Sequence, residues 1–306
     1  MTKIGMVGAG KVGAQAALEV AFARVGDVSL VDIVPGLAEG EALDISHTLS
    51  DSGVDVDVSG STDYSNLKGS DLVIVTAGLA RKPGMTRLDL LSKNSGIIAS
   101  VAKEVAKNAP DTVILMVTNP MDAMTYVALK ATGFPKQRVV GQGGVLDNSR
   151  FKYVLAKKLG VSRSSITSLV MGEHGENMIP IASHTNVFGV PLTRLLSDEE
   201  IAQAIEDTRK VAADVIAKKG ATIFAPGASI ARMAKAIVTD RREVLCASTL
   251  LDGEYGLKDI CIGVPVSLGR RGVERVFEIE LSPSEKEWFM KGAQTLKEAV
   301  ASIPAS

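Results

Sequence analysis

The turn Gly8-Ala9-Gly10-Lys11-Val12-Gly13 restricts the fold of this chain more than any other stretch. It follows directly on an apolar run, Met1 to Val7, that reads as a short strand. It leads into an alanine-rich stretch, to Arg24, that reads as a helix, and Ser29-Leu30-Val31 reads as a second strand ending on Asp32. A glycine-rich turn alone is common punctuation. Strand, G-x-G-x-x-G, helix, strand and terminal acid in that order are the parts of a dinucleotide-binding βαβ unit. Gly8 allows the tight turn, Gly10 leaves the backbone open to a pyrophosphate, and Gly13 lets the helix pack closely on the sheet. Asp32 can accept hydrogen bonds from both ribose hydroxyls and would repel a 2′-phosphate, which favours NAD over NADP.

The pattern continues through the first half. Residues 36–49 read as a helix, and Val54, Val56 and Val58 alternate with Asp55 and Asp57 as a half-exposed strand. Leu72 to Thr76 and Val113 to Val117 are apolar runs suited to buried parallel strands, with a helix over 89–107 between them. From about Gly141 the pattern changes. A helix is expected over 148–159, short strands around 166–171 and 179–187, and a helix from the Ser197/Glu200 capping box to Gly220. A further helix is expected over 228–239, and a second, largely antiparallel sheet from 244–251, 260–268 and 276–281. Ser282, Pro283 and Glu285 then start a last helix. The expected fold class is α/β: a Rossmann-type doubly wound parallel sheet over residues 1–142, followed by a mixed α+β domain over 143–306 that carries the chemistry. The crevice between the two lobes is the expected site.

Composition narrows the function classes. A net charge of −1 leaves no electrostatic footprint for nucleic acid or an anionic membrane. No apolar run approaches the roughly 18 residues of a membrane span. The amino terminus enters its first strand with no signal ahead of it, and Cys246 and Cys261 lack C-x-x-C spacing. A soluble, cytoplasmic protein with two reduced thiols is expected.

Three places could carry chemistry. The loop from Leu79 to Arg87 holds Arg81, Lys82 and Arg87 beyond the carboxyl end of a parallel strand, where open α/β sheets bind ligands. It reads either as solvated surface or as a lid over an anionic substrate. His174, in Gly172-Glu173-His174-Gly175, reads as a structural histidine or a proton-exchanging one. No other His or Cys stands at metal-ligand spacing from it, so no metal is expected. Asp147 and Arg150 share a helix face, as an intrahelical ion pair or as a working couple.

Five segments then coincide with one family. GAGKVG with Asp32, TAGLARKPGMTRLDLL (76–91), VTNPMD (117–122), GGVLDNSRF (143–151) and GEHGENMIP (172–180) resemble the lactate/malate dehydrogenase family, in family order and through nearly the whole chain. The resemblance is to its lactate-dehydrogenase-like malate dehydrogenase branch. It implies an NAD-dependent oxidoreductase interconverting malate and oxaloacetate, with His174 as proton donor and acceptor and Asp147 orienting it. It implies that Arg150 clamps the substrate carboxylate, Arg87 polarises the carbonyl and Arg81 pairs with the second carboxylate. Relatives acting on lactate usually have an uncharged glutamine at the position of Arg81. Asn119 resembles a contact to both nicotinamide and substrate, and its bond to Pro120 is cis in relatives. Asn94 and Val117 match cofactor contacts, as do Gly8, Gly10, Lys11, Val12, Gly13 and Asp32, while Thr222 matches the substrate-pocket wall. A homodimer or homotetramer is implied. The resemblance departs at Lys152 and Thr167, which stand where sugar-bisphosphate-activated bacterial lactate dehydrogenases carry an arginine and a histidine. The readings set against this one are a lactate dehydrogenase and a catalytically silent NAD-binding sensor.

Overall fold

The apolar runs of the amino-terminal half lie side by side in parallel. A computed structural model describes residues 2–80 and 86–303, apart from the side chain of Arg87. Strands β1 (Lys3–Val7), β2 (Asp27–Val31), β3 (Val58–Ser61), β4 (Leu72–Val75), β5 (Val113–Met116) and β6 (Val139–Gly141) pair in the order β3-β2-β1-β4-β5-β6. Every pairing is parallel. The connections run one way from β1 and the other way from β4, so the switch point lies between these two strands. Their register opposes Val7 to both Val31 and Val75, and Val75 to Met116. The carboxyl ends of β1, β2, β4 and β5 therefore come level, and the residues that follow them emerge along one rim.

Alternation across the pleat explains why β4 and β5 are apolar without a break. Leu72, Ile74 and Leu115 enter a core on one face, while Val73, Val75, Ile114 and Met116 enter a second core on the other. Helices α1 (Lys11–Phe22), α2 (Leu37–Asp51), α3 (Arg87–Asn108), α4 (Met121–Thr132) and α5 (Gly144–Leu159) connect or follow these strands. The helix α4 is not marked by a sequence stripe. Met121, Asp122, Ala123, Met124, Thr125, Ala128 and Leu129 are all buried, so little polar face remains to give it a period.

The second half adds short strands β7 (Ile166–Thr167), β8 (Val170–Gly172), β9 (Met178–Pro180), β10 (Asn186–Val187) and β11 (Val190–Pro191). Helices α6 (Asp198–Lys219) and α7 (Phe224–Val238) follow, then strands β12 (Glu243–Asp252), β13 (Lys258–Gly269) and β14 (Gly272–Val276), and helix α8 (Pro283–Ala301). The capping boxes expected at Ser197/Glu200 and Ser282/Glu285 are both formed, and Gly220 ends α6 with φ 85°.

The expected second sheet is not separate. Among the described residues, β12 pairs antiparallel with β6, Ser248 opposite Gly141, and the sheet runs on through β13, β8 and β9, with β14 on β13. A Cβ on Gly141 would stand 2.8 Å from the Ser248 Cβ, so the missing side chain lets the two parts join. One core cluster accordingly includes Ile4 and Leu72 as well as Val264 and Phe289. The strand expected at 54–58 is also displaced. Val54 turns back to donate to the Leu49 carbonyl and is buried, and regular pairing with β2 begins at Val58. The strand expected at 276–281 forms at Gly272–Val276 instead, because the Gly269 to Gly272 turn closes a hairpin with β13. Helices α5 and α7 each begin four residues before their expected starts at 148 and 228.

Candidate active site

The glycine-rich turn leaves β1 at the rim. Gly8 has φ 102°, where a Cβ would also stand 2.7 Å from the Ala77 nitrogen. A Cβ on Gly13 would collide with the Gly8 carbonyl oxygen, whereas one on Gly10 would project into open space. Gly13 thus brings α1 against the turn, and Gly10 keeps the approach to the helix amino end clear. That end has no side-chain cap and no acid in its first turn, which leaves its N–H groups and dipole available to an anion. The Asp32 carboxylate accepts from the backbone N–H of Ala9 at 2.7 Å and of Val34 at 2.9 Å. It therefore braces the turn and keeps acceptor capacity for ribose hydroxyls. These residues fit a dinucleotide. Lys11 and Val12 open α1, Lys11 exposed and Val12 packed on the core. We expect Gly13→Ala to lower stability by about 2 kcal/mol, the usual scale of forced overpacking. NADH affinity should fall at least tenfold, read by thermal unfolding and NADH fluorescence titration.

Asn94 lies on α3, fully buried. Its amide accepts from Leu79 N–H at 2.9 Å and donates to the Leu79 and Asn119 carbonyls at 3.2 and 2.7 Å. It ties the segment after β4 to the segment after β5. Val117 is half-buried just beyond β5, and Asn119 is exposed at the rim, with a cis bond to Pro120. Thr222 lies half-buried between α6 and α7. Arg81 lies outside the described residues. Arg87 opens α3 at the helix cap formed by Thr86, and its side chain lies outside them as well.

The densest chemistry stands where α5 meets β8. Asp147, 2% exposed, uses one carboxylate oxygen for a guanidinium and the other for an imidazole. Its Oδ2 lies 2.7 Å from His174 Nδ1, and its Oδ1 accepts from Arg150 Nη1 at 2.8 Å. A carboxylate can only accept, so Nδ1 carries a proton and Nε2 is the nitrogen left to exchange one. The intrahelical ion pair read as the modest alternative is thus present, and the same carboxylate also holds the histidine. Gly143 permits the approach, since a Cβ there would stand 3.0 Å from the His174 Cβ. Burial works against the His174 imidazolium. The charge and hydrogen bond of Asp147, with the charge of Asp122, outweigh it and raise the pKa, although Arg150 opposes them. Asp122, on the first turn of α4, accepts the His174 backbone N–H at 2.8 Å. Within VTNPMD nothing local signals this role, because its partner stands 52 residues away.

Among the described residues no three His, Cys, Asp or Glu side chains are arranged to hold a metal ion. None of their helices is long and apolar enough to cross a membrane. A cavity of about 560 Å³ between α3, α4 and α8, lined in part by Lys103, Tyr126, Lys130 and Val300, shares no residue with the His174 cluster.

Comparison with known proteins agrees in both halves. Residues 2–141 match the lactate/malate dehydrogenase NAD binding domain, and residues 144–305 match the lactate/malate dehydrogenase alpha/beta C-terminal domain. The malate dehydrogenase of Thermoproteus tenax is 51% identical over 304 residues, covering 99% of each chain. The malate dehydrogenase of Archaeoglobus fulgidus, solved in complex with NADH, superposes with TM-score 0.89 at 42% identity, over 98% of this chain and 99% of that one. The minor L-lactate dehydrogenase of Enterococcus mundtii superposes with TM-score 0.96 at 33% identity, over 100% and 99%. Backbone likeness therefore does not separate the two substrates, while the dinucleotide turn, the Asp147–His174 couple and both domain matches agree on one ancestry: the chain belongs to the lactate/malate dehydrogenase family.

Proposed function

We propose that this chain is an NAD-dependent malate dehydrogenase interconverting (S)-malate and oxaloacetate. The observation that carries the proposal is Asp147 holding His174 Nδ1 with one oxygen and Arg150 with the other. Full-length relatives named malate dehydrogenase support the choice of substrate, as does an arginine at position 81.

Bound NAD would supply the hydride acceptor for oxidation of the alcohol carbon, and bound NADH the hydride donor for reduction of the carbonyl carbon. Gly8, Gly10, Lys11, Val12 and Gly13 would hold its pyrophosphate, Asp32 its ribose, and the segments at Asn94, Val117 and Asn119 its nicotinamide end. Arg150 binds the carboxylate next to the reacting carbon through paired hydrogen bonds, and Thr222 lines the same pocket. Arg87 polarises the carbonyl and Arg81 pairs with the distal carboxylate. His174 Nε2 takes the hydroxyl proton in oxidation and gives it to the carbonyl oxygen in reduction. Its raised pKa keeps the imidazolium, the form that reduction needs, populated to a higher pH than in free histidine.

Residues 1–142 are proposed as the NAD-binding domain and 143–306 as the substrate-binding, catalytic domain, a division supported by the ranges of the two family matches. A cytoplasmic homodimer or homotetramer with a small-molecule substrate, and no nucleic acid or membrane partner, completes the proposal. Steady-state kinetics with oxaloacetate and pyruvate, each with NADH and NADPH, tests it. Oxaloacetate with NADH should be the preferred combination. Brisk turnover of pyruvate alone would make the chain a lactate dehydrogenase. NADH binding with no turnover of either acid would leave the sensor reading.

A further inference from the structure

We infer that Asp122 is a positioning residue for His174, anchoring its backbone while Asp147 orients its ring, and that its charge favours the imidazolium. The inference rests on His174 being the proton-exchanging group. Asp122 is 2% exposed and follows the Asn119–Pro120 bond on the first turn of α4. Its Oδ2 accepts the backbone N–H of His174 at 2.8 Å, so a β5–α4 element fixes the residue that β8 delivers from the other half of the chain.

The arrangement is costly for packing alone. Asp122 Oδ1 and Ser248 Oγ are both buried and face each other without a well-formed hydrogen bond. A buried carboxylate is costly to desolvate, and a neutral amide could accept the same His174 N–H with less of that cost. The side chain supplies a backbone acceptor, and what only the carboxylate adds is a negative charge near the imidazole.

The groups around the couple determine the sign of its pH dependence. His174 faces Asp147 and Arg150 from α5 and Asp122 from α4. Asp122 faces Ser248 from β12, Cys261 from β13, and His174 and Glu173 from the loop after β8. Burial pushes Asp122 up to about 6, against the Ser248 hydroxyl, the His174 N–H and the His174 charge, with Glu173 adding to the rise. Asp122 is therefore mostly ionised above neutral pH, where it raises the proton affinity of His174. Removing its charge must lower that affinity, and the imidazolium must then be lost at a lower pH.

Asp122→Asn keeps an oxygen to accept the His174 N–H and removes the charge. Asp122→Ala removes both. The test is an NMR titration of the His174 ring, assigned by loss of its signal in His174→Asn, beside the pH profile of kcat/KM for oxaloacetate. In Asp122→Asn the His174 midpoint and the corresponding limb of the profile should move down by about one pH unit, the effect of losing a nearby opposite charge. NADH affinity should stay within about twofold, since no cofactor contact is altered. Asp122→Ala should lose a further factor of about ten in kcat, on the scale of misplacing a catalytic group. An unmoved His174 midpoint in Asp122→Asn would overturn the inference, as would stability, NADH affinity and kcat falling together without a shift. A wild-type protein inactive on oxaloacetate would defeat the enzyme reading, and the ring titration would still decide this one.

Discussion

Replacing His174 by asparagine is expected to reduce kcat for oxaloacetate reduction by about 10³-fold, within the range attributed to a positioned general acid. Asparagine retains an N–H to donate to Asp147 but has no proton to exchange near neutral pH. His174 lies 13% exposed at the side chain against Asp147, so the substitution fills similar space and leaves the Asp147–Arg150 ion pair in place. NADH should consequently bind about as in the wild type, because, among the described residues, none of the hydrogen bonds that brace the glycine-rich turn and Asp32 involves His174. Stopped-flow reduction together with NADH fluorescence titration separates the two effects. Retention of most of the turnover would exclude His174 as the acid, and Asp147 would then be no more than a buried partner of Arg150.

The second large effect concerns substrate choice. Arg81→Gln should lower the ratio of kcat/KM for oxaloacetate over pyruvate by about 10³-fold, the scale on which a site built for a charged or hydrogen-bonding group rejects the analogue lacking it. On the proposed role of Arg81, its guanidinium would be neutralised by the distal carboxylate of oxaloacetate. With pyruvate it would be enclosed opposite a methyl group, and an unpaired enclosed charge costs several kcal/mol. Glutamine relieves that cost and gives up the ion pair, so the two substrates should move in opposite directions. Measuring both under one set of conditions is essential, since a common fall would report general damage rather than a change of preference. An unchanged ratio would take Arg81 out of substrate selection.

Much of the architecture was readable along the chain. The unbroken apolar runs of β4 and β5 report strands buried on both faces, and the boxes at Ser197 and Ser282 report helix starts, because each depends on residues a few positions apart. The strand placed at 54–58 shows the limit of that reading. Its valine–aspartate alternation is a valid strand pattern, yet Val54 is held by the end of α2 and the ladder starts later. Helix α4 escaped because a segment buried nearly all round loses the polar stripe that gives a helix its period. The roles of His174, Asp147 and Arg150 came from the family resemblance, while the chain pattern by itself left an ion pair and a structural histidine equally open.

Local order in this protein, including the glycine turn and the helix caps, was determined by the sequence alone, since the groups concerned are close neighbours along the backbone. Folding in three dimensions decided which distant groups meet. It joined β12 to β6 through Gly141, and it set Asp147 against His174 across 27 positions and Asp122 against the same histidine across 52. Those contacts take three ionisable side chains, Asp122, Asp147 and His174, largely out of water. Desolvation and charge pairing of that kind depend on packing, for which residue spacing carries no signal.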